Sequence, residues 1–138
     1  MRTDDETARR VLAETGTWAV VGASDDPWRS SYGVMELLIQ RGYDVIPVNP
    51  THERVLGMTC YPSLRDVPRP VDVVDLFRRS DQAGAHVDEA VEIGASVVWT
   101  QLGVFPDEAA LDRARAAGLT IVLNRCPAQD IPRLLRAS

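Results

Sequence analysis

Five short apolar runs, separated by stretches of helical period, set the plan of this chain. Thr17 to Val21 (TWAVV) is apolar and β-branched and runs into Gly22. Tyr43 to Val48 is closed by Asn49-Pro50, and Val71 to Phe77, Val97 to Thr100 and Leu119 to Leu123 repeat the theme. Short runs of this kind, bounded by Gly, Pro and Asn, predict strands buried on both faces. Between them, Ser30 to Arg41, Ser80 to Ile93 and Pro106 to about Ala117 carry apolar residues at three- and four-residue spacing. These predict helices. Ser80 suits the start of the second, and Gly94 and Gly118 suit the stops of the last two. Pro106 fits a first helical position, followed by Asp107 and Glu108 at the positive helix end.

Two helices flank this core. Thr3-Asp4-Asp5-Glu6 has the form of a capping box, and Ala8, Val11 and Leu12 then make an apolar stripe, predicting a helix over about 4–15. Asp130 to Arg136 predicts a closing helix with Ile131, Leu134 and Leu135 inward. The segment THERVLGMTCYPSLRDVPRP, after Pro50, reads as a long loop with a helical turn near Ser63 to Val67. Long loops in compact domains are often functional.

Strands alternating with helices imply a parallel sheet covered on both faces. The expected fold is α/β: a three-layer, Rossmann-like, doubly wound parallel sheet of five strands in the order 3-2-1-4-5. It occupies residues 1–138 as a single domain. In such sheets ligands bind at the carboxyl ends of the strands, where the order reverses.

Composition narrows the classes. The chain is 45% hydrophobic and 25% charged, as a globular protein with a real core should be. No apolar run reaches the roughly 20 residues of a membrane helix, and MRTDDETARR carries no apolar signal core. Only Cys60 and Cys126 are present, in no disulfide or zinc pattern. These features predict a cytoplasmic protein with no membrane attachment. A net charge of −5 argues against nucleic acid as a partner. All 15 basic residues are arginine; GC-rich coding is the simpler source of that bias, and either way it excludes P-loop and Schiff-base lysines.

The strand ends carry the candidate chemistry. The fold brings together Gly22-Ala23-Ser24, Val48-Asn49-Pro50, Phe77-Arg78-Arg79, Thr100-Gln101-Leu102-Gly103 and Asn124-Arg125-Cys126-Pro127. The first is not a G-x-G-x-x-G loop, because the next glycine after Gly22 is Gly33. The longer loop instead brings Arg29, Ser30 and Ser31 to the helix start, where hydroxyls, free N–H groups and a guanidinium suit phosphate. The plain alternative is a solvated turn with Ser30 as N-cap.

The second strand end discriminates cofactors. NAD-binding sheets place an acid there for the ribose hydroxyls; this chain has Asn49-Pro50, with His52 and Arg54 close behind. That set better suits a phosphorylated ribose, as in NADP or coenzyme A. His52 alone reads more simply as a surface loop residue. Asp75, inside VDVVDLF, needs a partner if buried, and Arg78 or Arg125 are the candidates. Cys126 follows Arg125, a cation that would favour thiolate beside a ligand; its alternative is a small buried residue. His86 falls on a helix and reads as a solvated or interhelical residue.

Taken in order, VVGASDDPWRSSYGV, GYDVIPVNP, VLGMTCYPSL, VDVVDLFRR, VWTQLGV and NRCP resemble the small stand-alone coenzyme A-binding proteins of bacteria and archaea. Their domain is similar to the CoA-binding domain of the succinyl-CoA synthetase α subunit and of NDP-forming acyl-CoA synthetases. The resemblance covers roughly residues 12–135. It implies a phosphate loop at Gly22, Ala23, Ser24, Arg29, Ser30 and Ser31, a nucleotide end near Val48, Asn49 and Pro50, and cleft walls at Phe77, Arg78, Gln101 and Gly103. Family members often carry lysine after the Asn-Pro pair, where this chain has His52 and Arg54. The phosphohistidine and ATP-grasp parts of the synthetases have no counterpart in these 138 residues.

The expected function is a non-catalytic module, carrier or sensor, that binds CoA or a short acyl-CoA. A second copy of the chain or a partner enzyme are the macromolecular partners this leaves open. Competing readings are an NADP-linked oxidoreductase, a thiol-dependent enzyme using Cys126, and an interaction protein with a vestigial site.

Overall fold

A computed structural model describes residues 4–135. Thr3 of the capping box and Arg136 of the closing helix therefore lie outside the described residues. The main sheet is parallel and contains β1 (Thr17–Val21), β2 (Asp44–Val48), β5 (Val73–Leu76), β6 (Val97–Thr100) and β7 (Thr120–Val122). Helices α1 (Asp4–Glu14), α2 (Ser30–Gln40) and α5 (Pro127–Leu134) cover one face of the sheet, and α3 (Ser80–Glu92) and α4 (Glu108–Ala116) cover the other.

Strand alternation sorts the core into two layers. Trp18 and Val20 of β1 pack with Val73, Trp99, Met35, Leu12 and Ile131 under α1, α2 and α5. Ala19 and Val21 pack with Ile46, Val48, Val74 and Val98 under α3 and α4. Both strand faces are thus apolar, which is why the strands read as continuous hydrophobic runs. Trp18 anchors the first layer, its ring centroid 5.4 Å from Trp99 and 5.7 Å from Tyr43.

The strand order is β2-β1-β5-β6-β7. Counting main-sheet strands in chain order, this is 2-1-3-4-5 and replaces the expected 3-2-1-4-5. Two local features explain the correction. Asp72, just before β5, accepts hydrogen bonds at Oδ2 from Gly16 N (2.8 Å) and Thr17 N (3.0 Å), and its own N–H donates to Thr17 O (3.0 Å). These bonds pin the start of β5 beside β1. The outer edge of β2 is meanwhile taken by Tyr61, which bridges Val48 in parallel. The switch point therefore falls between β1 and β5.

The segment after Pro50 is more ordered than its sequence suggests. It holds a hairpin of β3 (Arg54–Val55) and β4 (Met58–Thr59), then a 3₁₀ turn at Leu64–Asp66. The hairpin turns on Leu56 and Gly57, at φ 51° and 75°, a positive pair that suits a type I′ connection. Leucine is a poor marker for such a turn, so the pattern hides it.

Helix boundaries differ modestly from expectation. Arg29 and Arg79 occupy the N-cap positions expected of Ser30 and Ser80. Asp107 caps α4 by accepting from Ala110 N, so Pro106 precedes the helix. Helix α5 starts at Pro127, a residue suited to the first turn because it lacks an N–H.

Candidate functional site

The carboxyl end of β1 turns at Gly22, with φ 88°. A Cβ there would lie 2.7 Å from the Phe77 carbonyl oxygen, so a bare backbone is required where the β1 and β5 ends meet. Gly22 N and Ala23 N both donate to Val48 O, at 2.9 and 3.3 Å, which ties the turn to the end of β2. Asn49 completes the knot. Its Nδ2 donates to Ala23 O (2.8 Å), while Oδ1 accepts from Thr51 N (3.0 Å) and Thr51 Oγ1 (2.8 Å). Asn49 is buried and holds two loops together.

Below this knot lies a cleft of about 300 Å³, lined by Gly22, Ser24, Arg29, Ser30, Ser31, Asn49, Thr51, His52, Phe77 and Arg78. No carboxylate is among these residues. The acids of this loop are engaged by backbone N–H groups: Asp26 Oδ1 accepts from Trp28 N (3.0 Å), and Asp25 Oδ1 accepts from Leu56 N of the hairpin (2.8 Å). The second bond also docks the hairpin on the loop. Helix α2 opens on the cleft with no acidic residue in its first turn and no side chain capping it. Its first N–H groups and positive dipole end share the cleft with two guanidiniums, three serine hydroxyls and an imidazole. The Thr51 hydroxyl donates to Asn49, so its oxygen can accept from His52 Nδ1, 2.9 Å away. Such a set is built to hold an anion.

A second cavity, of about 420 Å³, opens on the opposite sheet face. Val21, Val48, Pro50 and Leu64 give it an apolar floor, and Gln82, His86 and Glu89 of α3 form a polar wall. Arg78 lines both cavities, so they meet at the end of β5.

Sequence-predicted residues fall into three groups. Gly22, Ser24, Arg29, Ser30, Ser31, Asn49, His52, Phe77 and Arg78 line the cleft. Val48 and Pro50 line the second cavity, and Ala23 is buried at the knot. Arg54, Gln101, Gly103 and Cys126 line neither. Arg54 bonds the Gly57 carbonyl of its own hairpin. Gly103 N donates to Asn124 Oδ1 (2.8 Å), shaping the turn after β6.

Gln101 is buried, and its Nε2 lies 3.3 and 3.4 Å from the two Asp75 oxygens. Gln101, rather than Arg78 or Arg125, is thus the partner of Asp75. An amide offsets little of the cost of burying a charge, and burial drives the Asp75 carboxyl well above the usual range. Arg125 instead joins Asp5 (2.6 Å) and Asp130 (2.8 Å), with Arg133 on the same two acids. The cation expected to activate Cys126 is therefore neutralised by carboxylates. Cys126 sits at the N-cap of α5, and its side chain makes no capping hydrogen bond.

Sequence reasoning passed over Thr51 and the α3 wall. The signal for the wall was present: Gln82, His86 and Glu89 recur at four- and three-residue spacing on one helix.

A doubly wound α/β sheet with an arginine-lined cleft at its switch point, and no carboxylate in that lining, defines a Rossmann-like protein. The chain belongs to the family of CoA-binding domains, which it matches over residues 16–132. It is similar to Bacillus subtilis YneT, 36% identical over 118 residues covering 86% of this chain and 87% of that one. A solved hypothetical protein from Pyrococcus horikoshii OT3 superposes with a TM-score of 0.92 at 42% identity, over 99% of this chain and 97% of that one. A dinucleotide-forming acetyl-coenzyme A synthetase of Ca. Korarchaeum cryptofilum, solved with phosphate and ADP, gives 0.71 at 29% identity, over 81% of this chain and 26% of the larger one.

Proposed function

We propose that this chain binds coenzyme A or a short acyl-CoA at the carboxyl edge of its sheet, as a non-catalytic carrier or sensor. The observation that carries the reading is the cleft itself. Arg29, Arg78 and His52 surround the α2 start with no carboxylate in the lining, in a chain of the CoA-binding family. The pyrophosphate lies on Ser30, Ser31 and Arg29, and the nucleotide end extends past Val48 to Pro50. The phosphates anchor the ligand through charge-assisted bonds, and no acid–base pair lines the cleft to drive a reaction.

Asn49 weighs against an NAD oxidoreductase. Its Oδ1 already accepts twice from Thr51 and leaves no acceptor there for a ribose diol. The test is mass spectrometry of ligand released by denaturing purified protein. CoA or an acyl-CoA in the supernatant supports the reading; a nicotinamide dinucleotide would replace it.

A further inference from the structure

From the open edge of the main sheet, we infer that β7 pairs antiparallel with β7 of a second copy of this chain, joining the two sheets into one. The strand order puts β2 and β7 at the edges. The chain itself closes the β2 edge. Pro47 has no N–H to offer there, its carbonyl accepts from Tyr61 N (3.1 Å), and Tyr61 O accepts from Asn49 N (2.9 Å). The β7 edge lacks such a cover: among the described residues no strand pairs with its outer side. Thr120, Ile121 and Val122 are all β-branched, with no Pro or charge among them, the devices that blunt an edge.

The register with β6 decides which groups face outward. Alternate residues of a parallel strand bond the same neighbour. Thr120 N donates to Ser96 O (2.9 Å), so Thr120 and Val122 serve β6, while Leu119, Ile121 and Leu123 turn their backbone groups away from it. Leu119 N is taken by Ala114 O (3.0 Å). Leu119 O, both groups of Ile121 and Leu123 N are left turned outward. This set is self-complementary. About a two-fold axis at Ile121, each Ile121 exchanges both bonds with its copy, and each Leu123 N meets Leu119 O of the other chain.

The surroundings suit an added strand. A groove of about 250 Å³ is lined by Ile121, Val122 and Leu123, with Asp4 and Thr7 of α1 on one side and Arg115 of α4 on the other. Successive strand residues point to opposite faces, so a cavity lined by all three follows the edge. Charge favours a second copy as the occupant. The two-fold axis keeps α4 beside α4 and reverses its direction. This helix runs from the acids Glu108 and Asp112 to Arg115, whose guanidinium lies 3.6 and 3.3 Å from them in its own chain. In the pair, each Arg115 faces the acidic half of the other α4. The phosphate cleft, at the ends of β1 and β5, lies clear of this edge.

Sedimentation equilibrium of the full chain, from micromolar to near-millimolar, should reach twice the mass of one chain. Hydrogen exchange should find the Ile121 and Leu123 amides protected at the upper end and open on dilution. Ile121→Pro removes an N–H that β6 does not use, a change an edge strand tolerates. Arg115→Glu sets like charges against the acids of the copy. Each should weaken association at least about tenfold, and adding Asp112→Arg to Arg115→Glu should recover it. The mass of one chain throughout, with both amides exchanging freely, would overturn the pairing and leave the edge to a strand of another protein. A dimer undiminished in both folded variants would place the interface elsewhere and overturn it too. If Ile121→Pro does not fold, Arg115→Glu, at an exposed position, and the wild-type amides decide the question.

Discussion

A Cβ on Gly22 would meet the carbonyl oxygen of Phe77 at 2.7 Å, so the β1 turn and the β5 end touch where the switch point opens. Gly22→Ala would add this clash to the strain of φ 88°. The variant should lose at least about 2 kcal/mol of stability and most of its ligand affinity. Urea denaturation and dialysis check the two effects; a stable variant with full affinity would mean the two strand ends part freely.

Arg29 is exposed at the start of α2 and lines the cleft. Arg29→Ala should therefore leave stability almost unchanged and weaken CoA binding by about 1.5–3 kcal/mol. That is roughly 10- to 150-fold in affinity. Unchanged affinity would place Arg29 outside the site.

The 3′-phosphate should matter because the cleft offers the His52 imidazole and several hydroxyls besides its two guanidiniums, with no carboxylate in the lining. His52 and Arg78 lie in it beside Arg29, whereas Arg54 is held on the hairpin. In thermal melts, CoA should raise Tm more than dephospho-CoA at equal concentration. Arg54→Ala should preserve that difference, and equal shifts for the two ligands would remove the phosphate argument.

Asp75 predicts a pH dependence of fixed sign. Its pKa is raised in the fold by burial, against an ordinary value of about 3.9 in the unfolded chain. Above that value the unfolded chain releases the proton while the folded chain keeps it. The contribution of Asp75 to stability is thus full below the unfolded pKa and declines as pH rises toward the folded one. Asp75→Asn should flatten this slope, gaining stability at pH 8 relative to wild type and little at pH 4. The Asp5 carboxyl, held well below the usual range by hydrogen bonds to Arg133 and Arg125, has the opposite sign and loses its contribution as pH falls through acid. Denaturation midpoints of Asp75→Asn and Asp5→Asn across pH 2–8 separate the two, Asp5→Asn acting at the acid end and Asp75→Asn at the upper end.

Features decided by a residue's own backbone are legible in the chain. The five main-sheet strands, the Gly22 turn and the cluster of Arg29, Ser30 and Ser31 follow from apolar runs and turn chemistry. Features decided by distant partners are not. Gln101 stands 26 positions from Asp75, and no local pattern pairs an amide with that acid in preference to an arginine. Strand order depends on the Asp72 carboxylate reaching back to Gly16 and Thr17, 55 or more positions away. Asn49 reads as a cofactor discriminator, yet its side chain is fixed by Ala23 and Thr51, which makes it the clasp of the site.

Equilibrium dialysis of labelled CoA against the full chain, with NAD as competitor, tests the central claim most directly. The account predicts saturable binding stoichiometric with the chain, unaffected by excess NAD and weakened in Arg29→Ala. No binding at millimolar CoA, or displacement by NAD at comparable concentration, would contradict it.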